Sequence, residues 1–150
     1  VKEFLFAEVS ESMKPYGLPL HRHQPEIEQV LSDFSGKPVD VVFTPHLTPM
    51  DRGILATIYA RPADDASAED LLAAMRAFYS DMPFVHVVEH LPATKDVTGT
   101  NFCHVTLRRT KGVVTILSVL DNLIKGASGV AVQNFNLMAG FPESESLIPA

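Results

Sequence analysis

The stretch from Asn122 to Ala139 constrains this chain most, because it has the length of a helix and is apolar nearly all the way round. Leu123, Ile124, Ala127, Val130, Ala131, Phe135, Leu137 and Met138 occupy most of its circumference at helical spacing. A helix resting on a sheet shows one apolar stripe; an all-round apolar surface belongs between layers. The 150 residues suit one domain with a real core, and a domain of that size has little room to sandwich a helix. The expectation is that 121–139 packs against a second domain or subunit. Gly126, Ala127, Ser128 and Gly129 cost helix propensity, for which the usual compensation is close approach by another backbone.

The remaining pattern supplies what such a helix could accompany. Val1 to Phe6 reads as a strand entering a sheet. Gln24 to Ser35 carries Ile27, Val30, Leu31 and Phe34 at i, i+3, i+4 and i+7, with Pro25 in the first turn and Gly36 and Pro38 as the stop. Val39 to Leu47 and Gly53 to Arg61 read as strands, one alternating Val39, Val41 and Phe43, the other Ile54, Ala56 and Ile58. Ser67 to Asp81 predicts a helix opened by a Ser67–Asp70 capping box, with Leu71, Leu72, Met75, Phe78 and Tyr79 as its inner stripe. Phe84 to Val88 is a short strand, and Phe102–Arg109 and Val113–Leu120 form an antiparallel pair through Thr110-Lys111-Gly112. The order β-α-β-β-α-β-β-β-α predicts an α+β fold, a mostly antiparallel sheet covered on one face by helices.

Composition removes several functional classes. The net charge of −6 disfavours nucleic acid as a main partner. No apolar run approaches the ~18–20 residues of a bilayer crossing, and no signal pattern opens the chain. The single cysteine, Cys103, forbids an internal disulfide framework and a cysteine-based metal cluster, which fits a reducing, cytoplasmic setting.

The chemistry-bearing residues gather before the first clear helix. His21 and His23 flank Arg22, and histidine is the usual proton-transfer group near neutrality. The positive end of the helix dipole disfavours imidazolium there and favours a neutral base. Arg22 can hold an anion, and Glu26, one turn in, could fix an imidazole tautomer. An ordinary polar surface loop fits the same spacing. Tyr16 in Lys14-Pro15-Tyr16-Gly17 and Arg52 in the polar turn 48–53 are substrate-binding candidates, against plain readings as a tight turn and a solvated charge. No compact metal-ligand spacing exists, since His46, His86, His90 and His104 sit on separate elements. Cys103 lies in a strand pattern without an adjacent base and reads as an inert thiol. Asp121 and Asn122 are good helix caps, and Lys125 with the first-turn N–H groups could hold a phosphate, although a capped, packed helix explains them equally.

Taken together, several strings resemble the C-terminal catalytic and dimerisation region of the N-acetyl-gamma-glutamyl-phosphate reductases. They are Leu5-Phe6-Ala7-Glu8-Val9, Lys14-Pro15-Tyr16-Gly17, His21-Arg22-His23-Gln24-Pro25-Glu26-Ile27-Glu28-Gln29, Phe43-Thr44-Pro45-His46-Leu47, Met50-Asp51-Arg52-Gly53-Ile54, and Asp121-Asn122-Leu123-Ile124-Lys125-Gly126-Ala127 continuing to Ala131-Val132-Gln133. The resemblance spans nearly the whole chain, and its most specific parts are His-Arg-His-x-Pro-Glu and Asp-Asn-Leu-x-Lys-Gly.

The resemblance implies a fold like the C-terminal domain of glyceraldehyde-phosphate dehydrogenase. It further implies a two-domain, NADP-dependent enzyme that reduces N-acetyl-glutamyl 5-phosphate to the semialdehyde through a cysteine thioester. His23 is then the general acid/base, His21, Tyr16 and Arg52 line the substrate pocket, and Asn122 and Lys125 face the cofactor. A homo-oligomer, dimer or tetramer, through the sheet is expected. The glycine-rich nucleotide loop and the Gly-Cys nucleophile of that family precede this region and are not in these 150 residues. Residues 1–150 therefore read as the substrate and dimerisation domain with the NADP-binding domain absent, inactive alone. The competing expectation is a non-catalytic, self-associating module of the same fold.

Overall fold

The computed structural model describes residues 5–62 and 64–148, and the chain divides into two compact units, Val1–Asp51 and Arg52–Ala150. In the first unit the elements are α1 (Phe6–Val9), β1 (Lys14–Pro15), α2 (His23–Ser35) and β2 (His46–Leu47). The strand expected over Val1–Phe6 falls mostly outside the described residues, and Phe6 opens α1 instead. The N–H groups of Glu8 and Val9 turn back onto the Leu5 carbonyl, at 2.8 and 3.2 Å, and Val9 is buried.

Helix α2 forms where the apolar spacing predicts it. It stops at Gly36, whose φ of +69° suits a residue without a Cβ and whose N–H bonds the Ser32 carbonyl. Its stripe is not a core, however: Val30, Leu31 and Phe34 remain exposed. The expected strand Val39–Leu47 shrinks to its last two residues, which pair antiparallel with β1 as Lys14↔Leu47 and Pro15↔His46. The backbone donors of the earlier part are taken by α2: Val39 N–H donates to Ser32 Oγ (2.9 Å) and Val41 N–H to Glu28 Oε1 (3.1 Å). The alternation survives without a ladder, since Val42 is 97% exposed while Val39, Val41 and Phe43 are half-buried.

The second unit contains β3 (Ile54–Ala60), α3 (Ala68–Phe78), β4 (Val85–Val87), β5 (Cys103–Thr110), β6 (Val113–Leu120) and α4 (Gly129–Ala139). The sheet order is β3-β6-β5-β4, antiparallel except for β4 beside β5. The fold is thus α+β with a mostly antiparallel sheet, as the strand runs predict. Lys111 and Gly112, at φ +51° and +79°, make the two-residue turn between Thr110 and Val113. Ser67 Oγ accepts from the Asp70 N–H (3.1 Å) while Asp70 reaches back to the Ser67 N–H (3.2 Å), completing the predicted capping box of α3. This helix packs on β5 and β4, with Leu71, Leu72, Met75 and Tyr79 half-buried and Phe78 exposed.

The parallel pairing of β4 and β5 has a structural cost. Parallel neighbours cannot be joined by a tight turn, so residues 88–102 must return across the sheet, and they include a 3₁₀ turn at Thr94–Asp96. Arg108 ties this crossover to β5, donating to the Glu89 carbonyl and to Thr106 Oγ1. Among the most buried side chains of the unit are Val97, in the crossover itself, and Phe84, Thr106 and Val119.

The final helical run is not one α-helix. Gly126, Ser128 and Gly129 donate to the carbonyls of Asp121, Leu123 and Ile124, each five residues back, so Ile124–Ser128 is a π turn ahead of α4. A Cβ on Gly129 would meet Asn101 Oδ1 and sit 2.8 Å from Ile124 Cγ2. The glycine therefore admits an asparagine side chain and the widened turn. Phe135, Leu137 and Met138 on α4 stay exposed.

Candidate active site

The His-Arg-His string lies in the first unit at the start of α2, and its geometry gives the two histidines different characters. His21 Nδ1 accepts from the His23 backbone N–H at 3.2 Å, and the His21 carbonyl accepts from Gln24 N–H at 3.0 Å. An accepting Nδ1 carries no proton, so the neutral ring holds its proton on Nε2. Three rings surround this imidazole: Tyr16 edge-on at 5.3 Å, His23 at 4.9 Å and Phe43 at 5.3 Å. Gly17, at φ +69°, closes the fourth side; a Cβ there would lie 2.5 Å from His21 Cδ2. Tyr16 is itself held by its N–H on the Pro45 carbonyl (3.1 Å), beside the β1–β2 pair.

His23, the first residue of α2, is exposed, as are Arg22 and Glu26. Glu26 makes no hydrogen bond to either imidazole among the described residues, so the tautomer of His21 is set by backbone and not by that carboxylate as expected. Glu28 carries the structural load instead. The Gln24 amide (3.0 Å) and then the Val41 N–H hold its carboxyl below the ordinary value.

Arg52, Asn122 and Lys125 belong to the second unit. Arg52 Nη1 lies 3.6 Å from Asp121 Oδ2. Asp121 is fully buried: Oδ2 accepts from Gly99 N–H (2.8 Å), and Oδ1 from Leu123 and Ile124 N–H (2.8 and 3.1 Å). Burial alone would raise its pKa. The three N–H donors and Arg52 outweigh that penalty and hold it below the usual carboxylate range. Asn122 Oδ1 accepts from Gly53 N–H at 2.7 Å, so the turn entering β3 is fastened to the strand-to-helix junction. Lys125 Nζ donates to Gln133 Oε1 (2.6 Å) and stands over the Phe84 ring at 5.4 Å. Its pKa is pushed down by burial, against the opposing pull of Cys103 and Glu143.

The fold also gathers residues that their spacing kept apart. His90, Asp96 and His104 each present a ligand-type atom within 4.8 Å of the others. His90 Nε2 is 3.4 Å from Asp96 Oδ2, which also accepts from the Ala93 N–H (2.8 Å). Burial, then the neighbouring His86, lower the pKa of His104, and its Nδ1 is buried without a partner. His86 stacks on Phe102 with ring centres 4.5 Å apart. Cys103, half-buried, has Sγ 3.3 Å from Ser118 Oγ and lies within electrostatic range of Lys125.

A family profile described as the semialdehyde dehydrogenase dimerisation domain matches residues 1–122. The chain is 51% identical over 149 residues to a protein of Rhodopirellula baltica named N-acetyl-gamma-glutamyl-phosphate reductase, covering 96% of this chain and 43% of that protein. A protein of the same name from Moorella thermoacetica is 53% identical over 148 residues, with coverages of 95% and 42%. The chain thus spans about two fifths of the length of these relatives. Aspartate semialdehyde dehydrogenase II of Vibrio cholerae shares the fold at 15% identity, with a TM-score of 0.68 over 88% of this chain and 42% of its own. No helix among the described residues is long and apolar enough to cross a membrane.

Proposed function

Since this chain belongs to the semialdehyde dehydrogenase dimerisation-domain family, we propose that it is the substrate and dimerisation domain of a cytoplasmic, NADP-dependent N-acetyl-gamma-glutamyl-phosphate reductase of arginine biosynthesis. The observation that carries this reading is the caged His21 beside an exposed His23 at the head of α2. His21 is preorganised to donate from Nε2 to an anionic oxygen, which suits the phosphate or carboxylate of N-acetyl-glutamyl phosphate. His23, less constrained, is the proton-transfer group; Tyr16, packed beside His21, and Arg52, on the resemblance alone, are read as substrate-binding residues.

The reaction so read begins with a cysteine thiolate, located outside residues 1–150, attacking the acyl phosphate. Inorganic phosphate leaves, and the thioester is reduced to the semialdehyde with return of the thiolate. NADPH supplies the hydride. This chain's own contribution toward that cofactor is small. The Asn122 carboxamide is oriented by Gly53 and keeps its N–H₂ as a donor, which fits a carboxamide or ribose partner. Lys125 is turned inward onto Gln133 and fits the cofactor only after leaving that bond. The exposed apolar side chains of α4 suit cover by the nucleotide domain, and the name of the family fits self-association into a homo-oligomer through the sheet.

The test is NADPH consumption by the full-length protein supplied with N-acetyl-glutamyl phosphate, with residues 1–150 assayed in parallel. Turnover by the full-length protein and none by the isolated chain is the expected pair of results. A full-length protein that leaves this acyl phosphate untouched overturns the assignment, and turnover by the isolated chain overturns the placement of the nucleophile.

A further inference from the structure

The three groups His90, Asp96 and His104 lie apart from the histidines at the head of α2, and nothing in the proposed reaction uses them. They come from three places in the second unit: the start of the crossover, its 3₁₀ turn and strand β5. Their ligand atoms nevertheless converge within 4.8 Å. A tetrahedral ion bound at about 2.0–2.2 Å by nitrogen and oxygen holds its ligands roughly 3.3–3.5 Å apart. The separation of His90 Nε2 from Asp96 Oδ2, 3.4 Å, already has that value. The His104 ligand atom lies no more than 4.8 Å from the other two, and binding would draw it in to the same range.

Two further features distinguish the group from a chance surface cluster. Asp96 is held in place by the Ala93 N–H on Oδ2, the kind of outer hydrogen bond that orients a ligating carboxylate. His104 has a ring nitrogen buried without any partner, so its environment is incomplete as it stands. His90 is mostly exposed, which leaves the cluster open to an incoming ion and to a water completing its coordination.

We propose that His90, Asp96 and His104 bind a first-row transition-metal dication of the zinc type. Two imidazoles with one carboxylate favour zinc, nickel or copper over magnesium or calcium, which prefer all-oxygen sites. The ion would clamp the crossover to β5. That crossover also supplies the Gly99 N–H to Asp121 and packs Thr94 against Gly53, so the clamp would steady the strand-to-helix junction. This is a structural site and takes no part in proton or hydride transfer.

The experiment uses the full-length protein stripped with chelator and titrated with zinc alone by calorimetry, then with cobalt as a spectroscopic probe. Wild type should take up an ion and, with cobalt, show the intense visible bands of a tetrahedral site. His90→Ala, a change at an exposed position, should weaken that uptake at least about tenfold and remove the cobalt bands, and Asp96→Asn should act in the same direction. Zinc uptake unchanged in His90→Ala, or no uptake by wild type at micromolar zinc, overturns the proposal. Because the readout is metal content and spectrum, failure here leaves the reductase assignment to its own assay.

Discussion

Replacing Asp121 by asparagine isolates what fastens the crossover to the start of the final helical run. The carboxylate has no exposure and receives N–H bonds from Gly99, Leu123 and Ile124, with Arg52 3.6 Å away. An asparagine carbonyl can replace Oδ1 toward Leu123 and Ile124. Its N–H₂ then faces the Gly99 N–H, donor against donor. One hydrogen bond to a charged acceptor is lost, worth about 1.5–3 kcal/mol, and a buried donor is left bare. Asp121→Asn should therefore cost about 2–4 kcal/mol. Arg52, 45% exposed, contributes an ion pair worth under about 1 kcal/mol, so Arg52→Gln should be nearly silent in stability. Urea unfolding measures both, together with hydrogen exchange at the Gly99 amide, which should lose protection in Asp121→Asn alone. The pH dependence has a definite sign. A carboxylate whose folded pKa is depressed stabilises fully above its unfolded value, about 3.9, and loses that contribution as pH falls through the folded value. Asp121→Asn should flatten this acid limb. Equal losses from Asp121→Asn and Arg52→Gln, or an acid limb as steep in Asp121→Asn as in wild type, would refute the claim that backbone N–H groups hold this carboxylate.

Three further substitutions probe local geometry. Ser67→Ala removes one half of the capping box of α3 and should cost about 1 kcal/mol in urea unfolding; no change would mean that the cap is redundant. Gly129→Ala drives a Cβ into Asn101 Oδ1 and the Ile124 turn and should destabilise by about 1–3 kcal/mol. A neutral result would show that the π turn yields easily. Gly17→Ala pushes on the His21 ring and should lower kcat/KM of the full-length enzyme by roughly 10–100-fold. Unaltered kinetics in a folded Gly17→Ala protein would remove His21 from the site.

Much of the second unit was legible because its signals are local. The capping box of α3 needs only Ser67 and Asp70, and the β5–β6 hairpin needs only two alternating runs and a Lys-Gly turn. Strand direction is not local: alternation in Val85–Val87 is the same whether β4 runs parallel or antiparallel to β5. The crossover that parallel pairing demands was therefore invisible, and with it the meeting of His90, Asp96 and His104. Val39 to Phe43 alternates like a strand, yet Ser32 and Glu28 capture its backbone donors, a tertiary competition that periodicity does not report. At the candidate site, the string around His21 and His23 marked the head of α2 as the place to look, but it could not say that the His23 N–H fixes the His21 tautomer. Glu26 was the sequence's candidate for that task and plays no part in it. Asp121 read as a helix cap and is one, with a third bond to Gly99 that only the fold supplies.

The account turns on His23 as the proton-transfer group, so the most direct measurement is kcat for His23→Ala in the full-length protein with N-acetyl-glutamyl phosphate and NADPH. Loss of general acid/base catalysis should lower kcat by roughly 10²–10⁴. The substituted residue is exposed at the head of α2, so the fold should be undisturbed by circular dichroism. A kcat within a few-fold of wild type in a folded His23→Ala enzyme would contradict the role assigned to it.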